Sequence, residues 1–109
     1  MSDHIPLTKA LLQIPETGPR FSRIFKRSDI EVEIYAPKGH DLQSPNSRDE
    51  LYFVISGTGY FRNGSERTVF GPGDLLFAKA GVVHRFEEFS VDFATWVVFF
   101  GPEGGAAEE

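Results

Sequence analysis

Glu50 and His84 are the side chains of this 109-residue sequence best suited to chemistry. Glu50 stands directly before the apolar run LYFVIS, within the stretch DELYFVISGTG. His84 closes the stretch PGDLLFAKAGVVH. A carboxylate and an imidazole brought together can hold a divalent cation, exchange a proton or fix a polar ligand. A plainer reading makes Glu50 a rim charge paired with Arg48 or Arg85, worth little when exposed. The same reading makes His84 a satisfied core histidine. The sequence has no cysteine, so disulfides and thiolate chemistry are excluded, and a metal would need His, carboxylate, amide or hydroxyl ligands.

The surrounding pattern is that of short strands. Eleven Phe suit strands and fill a core, while eleven Gly and seven Pro supply turns. Ile30, Val32 and Ile34 alternate with Glu31 and Glu33, which marks a strand with one buried face. ELYFVIS and FATWVVFF read as long apolar strands, LLFA and RFEEFS as shorter ones. Asn63-Gly64 within YFRNGSERTVF is a strong hairpin signal. Roughly eight strands with frequent turns imply an all-β sandwich or barrel. Alternation offers Tyr52 or Phe53, Phe77, Phe86, Trp96 and Val98 as its interior. It also points one of Glu87 and Glu88 inward.

Three segments are expected: an N-terminal arm over residues 1–20, a barrel over 21–101 and a flexible tail over 102–109. The arm carries three prolines and a short helical stretch from Thr8 to Ile14, with Thr8 as its cap. Its Ile5, Leu7, Leu11 and Leu12 are apolar enough to pack on the barrel or on a second copy, so a homodimer is expected.

The net charge of −5 speaks against nucleic-acid binding and gives no attraction to anionic membranes. No apolar run is long enough to span a bilayer, and the N-terminus lacks the layout of a secretory signal. A cytoplasmic location follows as an expectation.

The order of the two stretches resembles the cupin superfamily. Glu50, six residues and Gly57 match the second half of its first motif, with Gly39 as a candidate opening glycine. Gly73, DLLFA, Lys79, Ala80, Gly81, two valines and His84 match its second motif, with Lys79 where the family has proline and Glu88 at the terminal asparagine. The resemblance implies a cupin jelly-roll β-barrel, or double-stranded β-helix, often dimeric. In many cupins, two histidines and the glutamate of the first motif join the histidine of the second around one divalent metal, commonly Fe, Mn, Ni, Zn or Cu. Glu50 and His84 carry over as ligands. The two motif-one histidines do not: their places hold Ser44 and Asn46, or Gln43 and Pro45, depending on spacing. Gln43 and Asn46 are therefore the candidate additional metal ligands, although amide oxygens suit harder ions. His40 could substitute only if its loop folded back.

Three functions remain open: a cupin that binds a small molecule in a polar pocket around Glu50 and His84, with or without a weakly held metal; a metal-dependent dioxygenase, isomerase or decarboxylase acting on a small organic acid or phenol; and a sensory or structural module. No helix-turn-helix pattern accompanies the third.

Overall fold

The computed structural model describes residues 4–107. It contains helix α1 (Leu7–Leu12) and eight strands: β1 (Phe21–Arg27), β2 (Ile30–Tyr35), β3 (Asp49–Ser56), β4 (Gly59–Asn63), β5 (Glu66–Phe70), β6 (Leu75–Ala78), β7 (His84–Glu87) and β8 (Ala94–Phe100). They form a five-stranded sheet of order β1-β2-β8-β3-β6 and a three-stranded sheet of order β5-β4-β7. Every pairing is antiparallel. This is the all-β double-sheet architecture expected of a jelly roll. Among the described residues, no helix is long and apolar enough to cross a membrane.

The period-2 geometry of strands sorts the side chains into two layers. Tyr52, Val54, Ala78 and Val97 of the larger sheet meet Phe61, Phe70 and Phe86 of the smaller one, with Phe93 closing the same core. Tyr52 and Phe86 meet edge to face with centroids 5.0 Å apart, a favoured aromatic geometry. The outer face of the larger sheet is covered in part by the arm. Ala10 and Ile14 pack there on Ile34, with Ile24, Ile55 and Trp96 around them.

This second layer corrects several expectations. Trp96 pairs with Ile34 across the ladder and shares its outer face, and Val98 has the same parity; Val97 is the residue that enters the barrel. Phe53 and Phe77 also face outward and stay exposed. In ATWVVFF nearly every position is apolar because both faces of the strand are covered, so alternation carries no inside signal. Helix α1 begins at Leu7, one residue before Thr8, and its first turn has no side-chain cap. The arm's Ala10 and Ile14 are buried on its own barrel, while Leu11 and Leu12 remain exposed.

Turn chemistry places the site strands. Gly57 ends β3 at φ 88°, and a Cβ there would lie 2.5 Å from the Phe93 Cα. Only glycine satisfies both the backbone angle and that close approach. The β4–β5 hairpin forms as the sequence predicts but turns at Gly64 and Ser65, one residue later than the Asn63-Gly64 signal, with Asn63 paired to Glu66 as the end of β4 and Gly64 at φ 62°.

Candidate functional site: a buried polar chain

Glu50 lies in the first inward row of β3, and His84 opens β7 of the facing sheet. Each is only 2% exposed. The His84 Nε2 and a Glu50 carboxylate oxygen are 2.8 Å apart. The structure thus places the two residues against each other across the barrel. Arg48, the rim partner of the plainer reading, instead donates from Nε to the Gly101 carbonyl.

The other face of the His84 ring fixes its protonation pattern. Nδ1 lies 3.0 Å from the Val82 carbonyl oxygen, which can only accept, so Nδ1 carries a proton. Facing a carboxylate, Nε2 carries one as well when the ring is charged. Burial alone would lower the His84 pKa; the Glu50 contact, the Val82 carbonyl and the charges of Glu50 and Asp41 outweigh it, and the net shift is upward. The Nε2–H does not point along the line to Glu50, and the nitrogen makes no aligned hydrogen bond. The contact is therefore better described as a charge pair, whose energy depends little on angle, than as a hydrogen bond.

A chain of hydrogen bonds leads away from this pair. The Tyr52 hydroxyl lies 3.2 Å from the same Glu50 oxygen and 3.1 Å from the Gln43 side-chain oxygen. Gln43 donates through Nε2 to Asp41 at 2.8 Å, which fixes its amide orientation. One Tyr52 proton thus faces two acceptors. Burial, with the charges of Glu50 and Asp41, holds the Tyr52 pKa well above its ordinary value, so this hydroxyl remains a donor. Asp41, 4% exposed, also accepts from the Tyr35 hydroxyl, the Gln43 N–H and the Phe86 N–H. Its carboxylate is satisfied from four donors, enough to hold a buried charge in place.

Two residues of this site were not singled out by the sequence. Asp41 lies in the irregular stretch KGHDLQSPNSRD, where the only local signal is its turn-forming bond to the N–H two residues on. Tyr35 lies only six residues back, and the bond from the Phe86 N–H, 45 residues on, is the long-range one. Asp49, 5% exposed, accepts from the Ala80 N–H at 2.9 Å and so ties the start of β3 to the turn that presents His84.

The remaining candidates lie elsewhere. The Asn46 side-chain oxygen accepts from the Arg48 N–H, and the Asn46 carbonyl accepts from the Gly81 N–H. Asn46 thus shapes the loop below the His84 turn. Ser44 and Pro45 are exposed, and His40 is carried outward. Neither Glu87 nor Glu88 points inward: Glu87 pairs with Arg62 and Arg67 at 3.0 and 2.9 Å, and Glu88 pairs with Arg67.

This donor set does not fit a resident four-coordinate transition metal. Among the described residues, no group of three or more His, Cys, Asp or Glu side chains is placed to hold one. Glu50 and His84 already contact each other, and the Gln43 oxygen faces the Tyr52 hydroxyl. Catalytic zinc sites, for comparison, use three strong protein ligands.

Two cavities flank the loop that carries Asp41. A pocket of about 400 Å³ lies between the end of the arm, β1 and this loop, and both Tyr35 and Gln43 line it. A cleft of about 580 Å³ lies on the other side, against Arg67, Arg85 and Phe86. Glu50 and His84 line neither of these two cavities; Gln43 joins the first of them to the hydrogen-bond chain that ends at the pair.

Comparison with known proteins agrees with the geometry. Residues 31–100 match the cupin domain model. The uncharacterized protein SCO3923 of Streptomyces coelicolor is 34% identical over 85 residues, covering 76% of this chain and 81% of its own. A protein with a double-stranded β-helix domain from Klebsiella pneumoniae superposes with a TM-score of 0.76 at 22% identity, over 92% of this chain and 90% of its own. Protein TT1209 from Thermus thermophilus superposes with a TM-score of 0.70 at 22% identity, over 88% and 95%. At such identities the two structures speak to the fold alone. With its jelly-roll sheets and the family match spanning seven of its eight strands, this chain belongs to the cupin domain family.

Proposed function

We propose that this cupin binds a small molecule without a resident metal. The observation that carries the reading is Gln43, which lines the 400 Å³ pocket and also joins the buried chain through Tyr52 to Glu50 and His84. Pockets of this size, largely apolar with a few convergent polar groups, are typical of small-molecule sites. The Glu50–His84 pair then acts as a fixed polar anchor. It orients Tyr52 and Gln43 and so sets the hydrogen-bonding face offered to the ligand. Of the four arm residues that prompt the expected homodimer, Ile5 and Leu7 pack beside Ala10, Ile14 and Ile34 of their own chain, while Leu11 and Leu12 stay exposed and available to a second copy.

The competing reading is a metal-dependent enzyme acting on a small organic acid or phenol. The His84 Nε2, buried without an aligned hydrogen bond, is the one observation in its favour. The test is metal analysis of tag-free protein after incubation with Fe, Mn, Ni, Cu and Zn, alongside a thermal-shift screen of small molecules in chelator. Ligand stabilisation in chelator, with no retained metal, supports the proposal. Near-stoichiometric metal that disappears in Glu50→Ala and His84→Ala refutes it and leads to assays of oxygen-dependent and isomerase chemistry.

A further inference from the structure

The 400 Å³ pocket has a charge unlike that of the chain around it. The sequence carries 16 acidic residues against 11 basic ones, yet no acidic residue lines this pocket, while Arg20, Lys38 and His40 all do. Arg20 is held in position by bonds from Nε to the Ala36 carbonyl and from one terminal nitrogen to the Pro15 carbonyl. Lys38 and His40 are exposed at the rim. The rest of the wall is apolar and open to water: Phe21 is 44% exposed and Leu42 is 89% exposed. A single exposed leucine is unremarkable on a protein surface, but two large apolar side chains around one cationic pocket mark a site for an amphipathic anion.

The neighbouring cleft sharpens the contrast. It shares His40 and Leu42 with the pocket, but its other charges are mixed. Arg67 there is already paired with Glu87 and Glu88, and Asp41 adds a further carboxylate. That cleft offers little net selection for an anion.

We propose that the 400 Å³ pocket takes a small monocarboxylate with an aromatic or alkyl body. The carboxylate lies toward Lys38 and His40, and the body covers Phe21 and Leu42. The side-chain amide of Gln43 keeps a second hydrogen for a polar atom of the ligand, since only one is spent on Asp41. This inference rests on the proposed small-molecule function and adds the class of ligand.

The experiment is calorimetric titration and amide NMR of the chelator-treated full chain with phenylacetate and hexanoate, each against its neutral amide. The carboxylates bind, the amides bind about tenfold more weakly for loss of the charge-assisted contacts, and the shifted resonances cluster at Phe21 and Lys38–Gln43. The double variant Lys38→Gln/His40→Gln, altered only at exposed positions, keeps the wild-type melting temperature and loses the preference for carboxylate. Equal binding of acid and amide in this pocket overturns the anionic class while leaving small-molecule binding intact. Carboxylate shifts centred on Arg67 and Arg85 overturn the location. If neither carboxylate binds at millimolar concentration, the inference falls; if a broad library at all charges also yields nothing, the proposed function falls with it.

Discussion

Replacing Glu50 by alanine isolates the energetics of the buried pair. Glu50 and His84 are each 2% exposed and lie 2.8 Å apart, so at mildly acidic pH the variant must either bury an imidazolium without its carboxylate or give up that proton. Breaking a buried pair by removing one partner costs about 3–5 kcal/mol. That is a large share of the roughly 5–15 kcal/mol that stabilises a domain. The melting temperature should fall by more than about 10 °C. Glu50→Gln keeps the shape and an acceptor for Tyr52, and its amide can donate to a neutral imidazole, so its cost should be about 1 kcal/mol. The loss also depends on pH with a defined sign. The His84 pKa is raised in the folded wild type, so the pair contributes fully below the ordinary histidine value of 6.5 and fades as pH rises through the folded value. The penalty of Glu50→Ala must therefore be larger at mildly acidic than at alkaline pH. Urea denaturation of the three proteins across that range, with equal m-values, measures it. Equal losses in Glu50→Ala and Glu50→Gln, or a penalty indifferent to pH, would refute the charge pair.

Other outcomes follow from single features. The Glu33 pKa is raised by burial and by the nearby Glu31 and Glu50 charges, so its ionisation opposes folding; Glu33→Gln should raise the melting temperature near neutral pH, with the gain vanishing well below the ordinary value of 4.5, as a pair of pH-resolved melts will show. Gly57→Ala combines a positive φ with a clash against the Phe93 backbone and should cost at least about 2 kcal/mol in denaturant melts; a neutral result would mean that the β3 turn is shaped differently. Sedimentation at high micromolar concentration tests the expected homodimer, and a monomer there removes it.

What the sequence determined by itself was local and patterned. Glu50, Tyr52 and Val54 share one face of β3 because side chains alternate along a strand. Gly64 set a hairpin, and Gly57 and Gly81 set turns, because few other residues tolerate those backbone angles. These signals also placed His84 at the start of a strand. Tertiary structure decided the rest. The partner of Glu50 comes from a strand 34 positions away on the opposite sheet; the family resemblance carried both residues to one site, but only the structure decides that they meet directly. Trp96 and Val98 turned outward because an arm covers the far side of their strand, which makes an apolar run ambiguous between its two faces. Asp41 reads as a loop residue until Tyr35, Gln43 and Phe86 converge on it. Packing brings the distant Phe86 N–H to a carboxylate that Tyr35 and Gln43 already hold locally, and that convergence links the buried charges to the pocket at the surface.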